Sequence, residues 1–239
     1  MIVDVAVTPA ALRPIDAGRT VAVLDVLRAT TTIVAALAEG ASSVLPFEEP
    51  EEALAFAELH GRANYILGGE RESRKIPGFD LDNSPRAYTR ERVNGVTIVF
   101  TTTNGTRALR RAAEVGSRVL IATLRNRTAV AHALLVGGGD ATLVCAGSQG
   151  DWSFEDFIGA GSILAAMRDR EPGIALGDGA FAALSAYARH ARALHAAVAR
   201  GTHARHLIDA GFSDDVVWCC EEDRTGIVPV LTGGTITAA

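Results

Sequence analysis

Asp25-Val26-Leu27-Arg28-Ala29-Thr30-Thr31-Thr32 places a carboxylate, a guanidinium and three hydroxyls directly after an apolar run, Thr20 to Leu24, that reads as a strand. In an open α/β sheet, ligands bind outside the carboxyl ends of the strands. There the following helix offers unpaired N–H groups and the positive end of its dipole to an anion. The run therefore reads as a phosphate and metal corner. A second corner, Thr101-Thr102-Thr103-Asn104-Gly105-Thr106-Arg107, follows the apolar run Val96 to Phe100 and precedes a helical pattern. Between them, Gly68-Gly69-Glu70-Arg71-Glu72-Ser73-Arg74-Lys75 sets acids and bases side by side behind two permissive glycines. A fourth segment, from Cys145 through Gly147-Ser148-Gln149 to Glu155-Asp156, leaves the strand candidate Ala141 to Val144 and enters a helix. Its acids are candidate metal ligands.

Magnesium takes oxygen ligands, keeps several waters, and binds through one or two carboxylates while substrate phosphate completes its shell. Asp25, Glu70 and Asp156 are the candidates for that role. Phosphoryl transfer then depends on positioning and on neutralising charge at the equatorial oxygens, work suited to guanidinium groups, hydroxyls and helix-terminal amides. Arg28, Thr31, Thr102, Thr103, Asn104, Gly105 and Thr106 form that second set. Asp25 either attacks phosphorus itself or holds a metal whose bound water attacks, and both routes stay open.

The 239 residues are 48% hydrophobic, enough for one large α/β domain or two small lobes. A net charge of −5 and a pI near 5.7 exclude the basic stripe of a nucleic-acid binder. Positive charge is concentrated instead in Arg71, Arg74 and Lys75, which fits a small anionic ligand. The N-terminus reads as a strand rather than a leader, and no apolar run approaches the roughly 20 residues that span a bilayer. The expectation is a soluble cytoplasmic protein with no membrane partner. Cys145, Cys219 and Cys220 give an odd count without a Cys-x-x-Cys pair, so neither a disulfide framework nor a zinc site is indicated. Cys145 is expected in the core.

Strands are expected at 2–7, 20–25, 43–46, 64–67, 96–101, 118–122 and 141–146, with a last one near 227–231. Thr31 to Glu39, Glu51 to His60, Thr106 to Glu114 and Asn126 to Val136 carry apolar residues at helical spacing, and Gly40, Gly61 and Gly116 act as stop signals. This alternation predicts parallel strands covered by helices in a single domain over 1–239. From about 155 to 223 the chain reads as almost wholly helical, a lid, a second lobe or a homodimer surface.

Other residue types have plainer readings. His203 and His206 are spaced for one helix face but lack a third soft ligand, which favours a surface or capping role, and His132, His190 and His195 read the same way. Asp214, Asp215, Glu221, Glu222 and Asp223 read as an acidic, solvated helix flank. Trp152 and Trp218 read as packing residues.

Five segments together, Asp25 to Thr32, Gly69-Glu70-Arg71, Gly78-Phe-Asp-Leu-Asp-Asn-Ser-Pro85, Thr101 to Thr106 and Ser153-Phe-Glu-Asp156, resemble in order and spacing the 2-phosphosulfolactate phosphatase family of coenzyme M biosynthesis. The resemblance implies a three-layer α/β/α enzyme with a mixed, largely parallel sheet. It also implies magnesium-dependent hydrolysis of the phosphate monoester of a small sulfonated hydroxy acid. Asp82 stands where that family's segment is expected to carry a glycine. In the same segment Asn83 or Ser84 suits a helix cap and Pro85 a first turn. With Arg71 and Lys75 nearby, its amides suit a sulfonate or carboxylate. The alternatives are a phosphatase for another small phosphorylated acid, a protein that binds a phospho-ligand without turnover, and a helical half devoted to assembly.

Overall fold

Both faces of the strand Thr20–Leu24 are apolar, Val21 and Val23 facing one core and Ala22 and Leu24 the other. A strand buried on both sides needs helices above and below it. The computed structural model, which describes residues 1–13 and 16–238, has this three-layer arrangement. In chain order its elements begin with β1 (Ile2–Ala6), β2 (Thr20–Leu24), α1 (Ala29–Ala38), β3 (Ser43–Phe47), α2 (Pro50–Leu59), β4 (Tyr65–Arg71), β5 (Arg74–Lys75) and α3 (Arg90–Val93). They continue with β6 (Thr97–Thr101), α4 (Gly105–Val115), β7 (Arg118–Ala122), α5 (Arg127–Gly137), β8 (Ala141–Cys145), α6 (Phe154–Arg170) and β9 (Ala175–Leu176). Four helices follow, α7 (Asp178–His190), α8 (Leu194–Val198), α9 (Thr202–Asp209) and α10 (Ser213–Cys219), before the hairpin β10 (Val230–Thr232) and β11 (Thr235–Thr237).

The strands form one mixed sheet in the order β5-β4-β6-β3-β11-β10-β7-β2-β8-β1-β9. Strands β4, β6 and β3 run parallel to one another, as do β7, β2, β8, β1 and β9. The terminal hairpin lies between these two blocks and is antiparallel to both, pairing Ile236 with Val44 on one side and Val230 with Leu120 on the other. Gly233 and Gly234 make its two-residue turn with φ of 56° and 82°, the left-handed geometry that suits strand twist and that glycine adopts freely.

Helices α1 and α4 bury Ile33, Val34, Leu37, Leu109 and Ala112 against one face. On the other face α5 and α6 pack with α7 to α10, through residues such as Leu134, Ile163, Met167, Val198 and Leu207. Ala53 and Ala57 of α2 cover Leu67 and Val99 in a smaller core. Pro50 opens α2 with Glu51 and Glu52 in its first turn, and α6 begins with Glu155 and Asp156 and ends with Arg168 and Arg170, each arrangement matching the helix dipole. All three cysteines are buried and free. Among the described residues, no helix is long and apolar enough to cross a membrane.

Every expected strand is present, most within one or two residues; β4 runs on to Arg71, four residues past the expected end, β10 begins at Val230, three residues after the expected start, and β5, β9 and β11 are additional. Ile236 is fully buried where the hairpin meets β3. Ile236→Ala is expected to lower stability by about 2–5 kcal/mol; a urea-denaturation midpoint equal to that of the wild type would show that the hairpin does not hold the two blocks together.

Candidate active site

The chain turns sharply after β2, and the three threonines of α1 fix that turn. The backbone N–H of Asp25 donates to Thr30 Oγ1 at 2.9 Å, and the same hydroxyl donates to the Asp25 carbonyl. Thr31 donates to the Val26 carbonyl, and Thr32 reaches the Asn83 carbonyl at 2.9 Å. Asp25 Oδ1 accepts the Ala29 amide at 3.1 Å, which places the carboxylate on the first turn of α1. Its other oxygen faces Gly105, the first residue of α4. A Cβ there would stand 2.8 Å from Asp25 Oδ2 and would also strike Ala29. Glycine at 105 thus lets two helix N-termini, both favourable for negative charge, approach one carboxylate.

Glu70 ends β4 and ties two loops together. Its Oε2 accepts the Ser73 amide and its Oε1 the Thr103 amide, each at 2.8 Å. Gly69, at φ 142°, allows β4 to lie against Thr101 without a side chain between. Arg71 is braced by the carbonyls of Glu70 and Glu48 and by Thr101 Oγ1. Arg74 and Lys75 are exposed on β5, and among the described residues neither forms an ion pair.

Asp156 lies in the first turn of α6 with both oxygens engaged, Oδ1 by the Val26 amide at 2.7 Å and Oδ2 by the Gly147 amide at 3.0 Å. Burial, and next the charge of Glu155, push its pKa up to about 7. Glu155 is likewise raised to about 7 by burial and by Asp25. Burial, then Asp156 and Glu70, hold the Asp25 carboxyl well above the usual range, with the Ala29 amide and Arg28 opposing them. Arg28 is itself buried, donating to Asp215 Oδ2 at 2.8 Å and to the Ser73 carbonyl at 3.3 Å, with its guanidinium 4.1 Å over the Phe212 ring. Asp215 takes a second hydrogen bond from Ser84 Oγ. The expectation of a solvated acidic flank is therefore corrected at Asp215, which is 2% exposed.

These elements enclose a cavity of about 660 Å³. Of the residues singled out from sequence, Asp25, Arg28, Glu70, Arg71, Asn83, Thr103 and Asn104 line it, and Gly105 borders it through Asp25. Asn83 Oδ1 and Thr103 Oγ1 are buried there with no hydrogen-bond partner in the protein. The remaining candidates lie outside the wall. Thr31 is buried against Thr123, Thr102 and Thr106 cap one another at the start of α4, Lys75 points elsewhere on β5, and Asp156 sits behind the turn it braces. Ser84 occupies the position before a short 3-10 turn, but its hydroxyl serves Asp215 rather than a cap. Asp82, in place of the glycine expected from the resemblance, accepts the Ser84 amide at 2.9 Å and so shapes this loop. Among the described residues, no group of three His, Cys, Asp or Glu side chains is arranged to hold a metal ion. Three carboxylates do line the one cavity, Asp25 and Glu70 buried and Glu72 exposed.

A profile of 2-phosphosulpholactate phosphatase matches residues 6–234. The chain belongs to the 2-phosphosulpholactate phosphatase family. It is 42% identical over 220 residues to a probable 2-phosphosulfolactate phosphatase of Symbiobacterium thermophilum, covering 92% of this chain and 94% of that one. A protein of the same description from Thermotoga petrophila is 40% identical over 232 residues, covering 97% and 96%. A third, from Caldanaerobacter subterraneus, is 40% identical over 221 residues, covering 91% and 90%. Members of this family are phosphoric monoester hydrolases.

In this family member, the sequence reading missed part of the wall. His203 of α9 lines the cavity rather than a free surface, with its Nε2 2.8 Å from the Leu27 carbonyl and its pKa lowered by burial, while His206 is exposed, as expected, and borders the cavity from its rim. Their spacing on one helix face was visible, but only the docking of α9 turns His203 inward. Glu72, Ser73, Arg74, Ser148 and Gln149, all in segments whose composition was already notable, also line it, and Leu27, Leu207 and Ala210 complete the wall. Asp215 carried no local signal, since its partner Arg28 is far away along the chain.

The raised carboxyls have a thermodynamic signature. The folded state binds protons at Glu155 near pH 7 that the unfolded chain releases near 4.5, so this contribution to stability is full below about pH 4.5 and is lost as pH rises through 7. In the presence of a chelator, wild type should lose melting temperature relative to Glu155→Gln, by at least about 3 °C, between about pH 4.5 and about pH 7.5. Parallel curves would show that Glu155 titrates normally.

Proposed function

We propose that this chain is a magnesium-dependent phosphatase that hydrolyses 2-phosphosulfolactate to sulfolactate and phosphate, acting in the cytoplasm in coenzyme M biosynthesis. The substrate comes from the family and its relatives' names. One observation carries the chemistry: Asp25 and Glu70, both buried, line one cavity, where burial, then repulsion from Asp156 and Glu70, disfavours the charged form of Asp25. A divalent cation relieves that repulsion, and magnesium commonly binds through no more than two carboxylates. Asp25 and Glu70 would hold it, and when bound it would neutralise charge on the phosphoryl oxygens. Asp156 fits this shell less well, because it lies behind the turn it braces and outside the cavity wall that Asp25 and Glu70 share.

The protein's own groups supply the rest. The amides at the start of α4, beginning at Asn104, suit the phosphoryl oxygens, and the unpartnered Thr103 hydroxyl and Asn83 amide oxygen offer polar contacts in a dry site. Arg28 contributes a wall whose charge is offset by Asp215, and Arg71 is paired with Glu49, so among the described residues the arginine of this wall without an ion pair is Arg74, which is assigned to the sulfonate or carboxylate. Asp25 serves either as the nucleophile or as the group that orients the attacking water, and both roles need its charge.

Phosphate release from 2-phosphosulfolactate, measured with magnesium and with excess chelator beside phospholactate and phosphoglycolate, tests the reading. Release that requires magnesium and favours the sulfonated ester supports it. Release only from the other esters would move the substrate to another small acid, and tight binding without release would make the chain a binding protein. Asp25→Asn is expected to reduce turnover by at least about a thousandfold with unchanged circular dichroism, since the isostere keeps size and loses charge. Arg74→Ala should raise KM for the sulfonated ester about tenfold with little change in kcat, corresponding to about 1.4 kcal/mol of uniform binding. An unchanged KM would remove Arg74 from the binding role.

A further inference from the structure

The cavity at the strand ends has a neighbour. A second and larger one, about 1130 Å³, shares Ser148, Gln149, His203 and His206 with the first, so the two open into each other across the α9 face and the loop before α6. A three-carbon ester needs only the low end of the usual ligand-pocket range, about 300 Å³. The first cavity already exceeds that.

The far wall of the second cavity is built from Trp152, Phe154 and the small residues Ala193, Ala196 and Ala197. Trp152 is 56% exposed and packs only edge-on, against Phe157 at 5.8 Å, which is unusual for a residue that normally buries its ring. Ser153 Oγ is buried beside the Asp156 carboxylate without a hydrogen bond of good geometry. Arg200 and His190 stand on the same wall, and among the described residues Arg200 forms no ion pair. Trp152, Phe154 and the alanines form an apolar, partly aromatic face in a chamber otherwise lined by polar groups, Asp151 and Glu155 among them, a mixed lining that suits a small organic ligand with an aromatic end.

We propose that this second cavity is a leaving-group subsite that admits phosphate monoesters of 2-hydroxy acids carrying an aromatic side chain, the ring lying against Trp152 while the phosphate occupies the first cavity. The proposal rests on the phosphatase reading of the first cavity and widens its substrate class. The reaction is unchanged: the oxygen of water ends on phosphorus, the P–O ester bond breaks, and the ester oxygen leaves as the hydroxyl of the aryl hydroxy acid.

The test compares phosphate release from 2-phosphosulfolactate and from 2-phospho-3-phenyllactate, with magnesium, by wild type, Trp152→Ala and Ala196→Phe. Trp152→Ala removes the stacking face, and Ala196→Phe fills the chamber from an exposed helix position. The expected result is that wild type hydrolyses both esters, and that each variant loses at least about tenfold in kcat/KM on the aryl ester, chiefly through KM, while staying within twofold on the short one. Turnover of the short ester verifies folding of each variant. Release from the short ester alone, or equal loss on both esters, would overturn the subsite while leaving the phosphatase reading intact. Release from neither would overturn both.

Discussion

Repulsion among buried carboxylates is the constraint around which the strand ends are organised. Asp25, Glu70, Glu155 and Asp156 are each no more than 8% exposed, and Asp25 interacts with all three of the others. A buried carboxylate without partners is costly, and a cluster of them more so. The fold offsets this with backbone amides rather than with side-chain cations: Ala29 for Asp25, Ser73 and Thr103 for Glu70, Val26 and Gly147 for Asp156. The nearby buried guanidinium, Arg28, is matched to Asp215 and adds little net charge. Negative charge left without a side-chain cation is what a divalent cation would offset at the proposed phosphoryl site.

The same amides connect the segments. Glu70 joins the β4–β5 hairpin to the loop before α4, Asp156 joins the start of α6 to the turn after β2, and Thr32 joins α1 to the Asn83 loop. The C-terminal helices then close the assembly, α9 through His203 and α10 through Asp215. The helical half is therefore part of the site's wall.

Much of this was legible in the sequence because it is local. A run such as Thr20 to Leu24 followed by Asp25 and three threonines reports a strand, a turn and a helix start within a dozen residues. Glu70 was found for the same reason. Strands β5, β9 and β11 were not, since two or three residues carry too little periodicity and exist only through their pairing partners. Asp215 and His203 were read as surface residues because nothing near them in sequence indicates that α9 and α10 dock over Leu27 and Arg28. Asp156 was recognised as part of the cluster, whereas its engagement by two amides from distant segments depends on tertiary geometry alone. Trp152, expected to pack, is largely exposed, since the cavity beside it leaves its ring uncovered.

The hairpin β10–β11 has a bearing on the site that lies in its width. Asp25 follows a strand of one parallel block and Glu70 ends a strand of the other, and the blocks share no backbone hydrogen bond within the sheet. What separates β3 from β7 is two inserted strands, hence three inter-strand gaps of about 4.8 Å each. The span between the block that presents Asp25 and the block that presents Glu70 is thus gauged by main-chain pairing at some distance from the chemistry. A slip of the hairpin's register would shift one block along the other and carry the two carboxylates with it, whichever side chains line the loops between them.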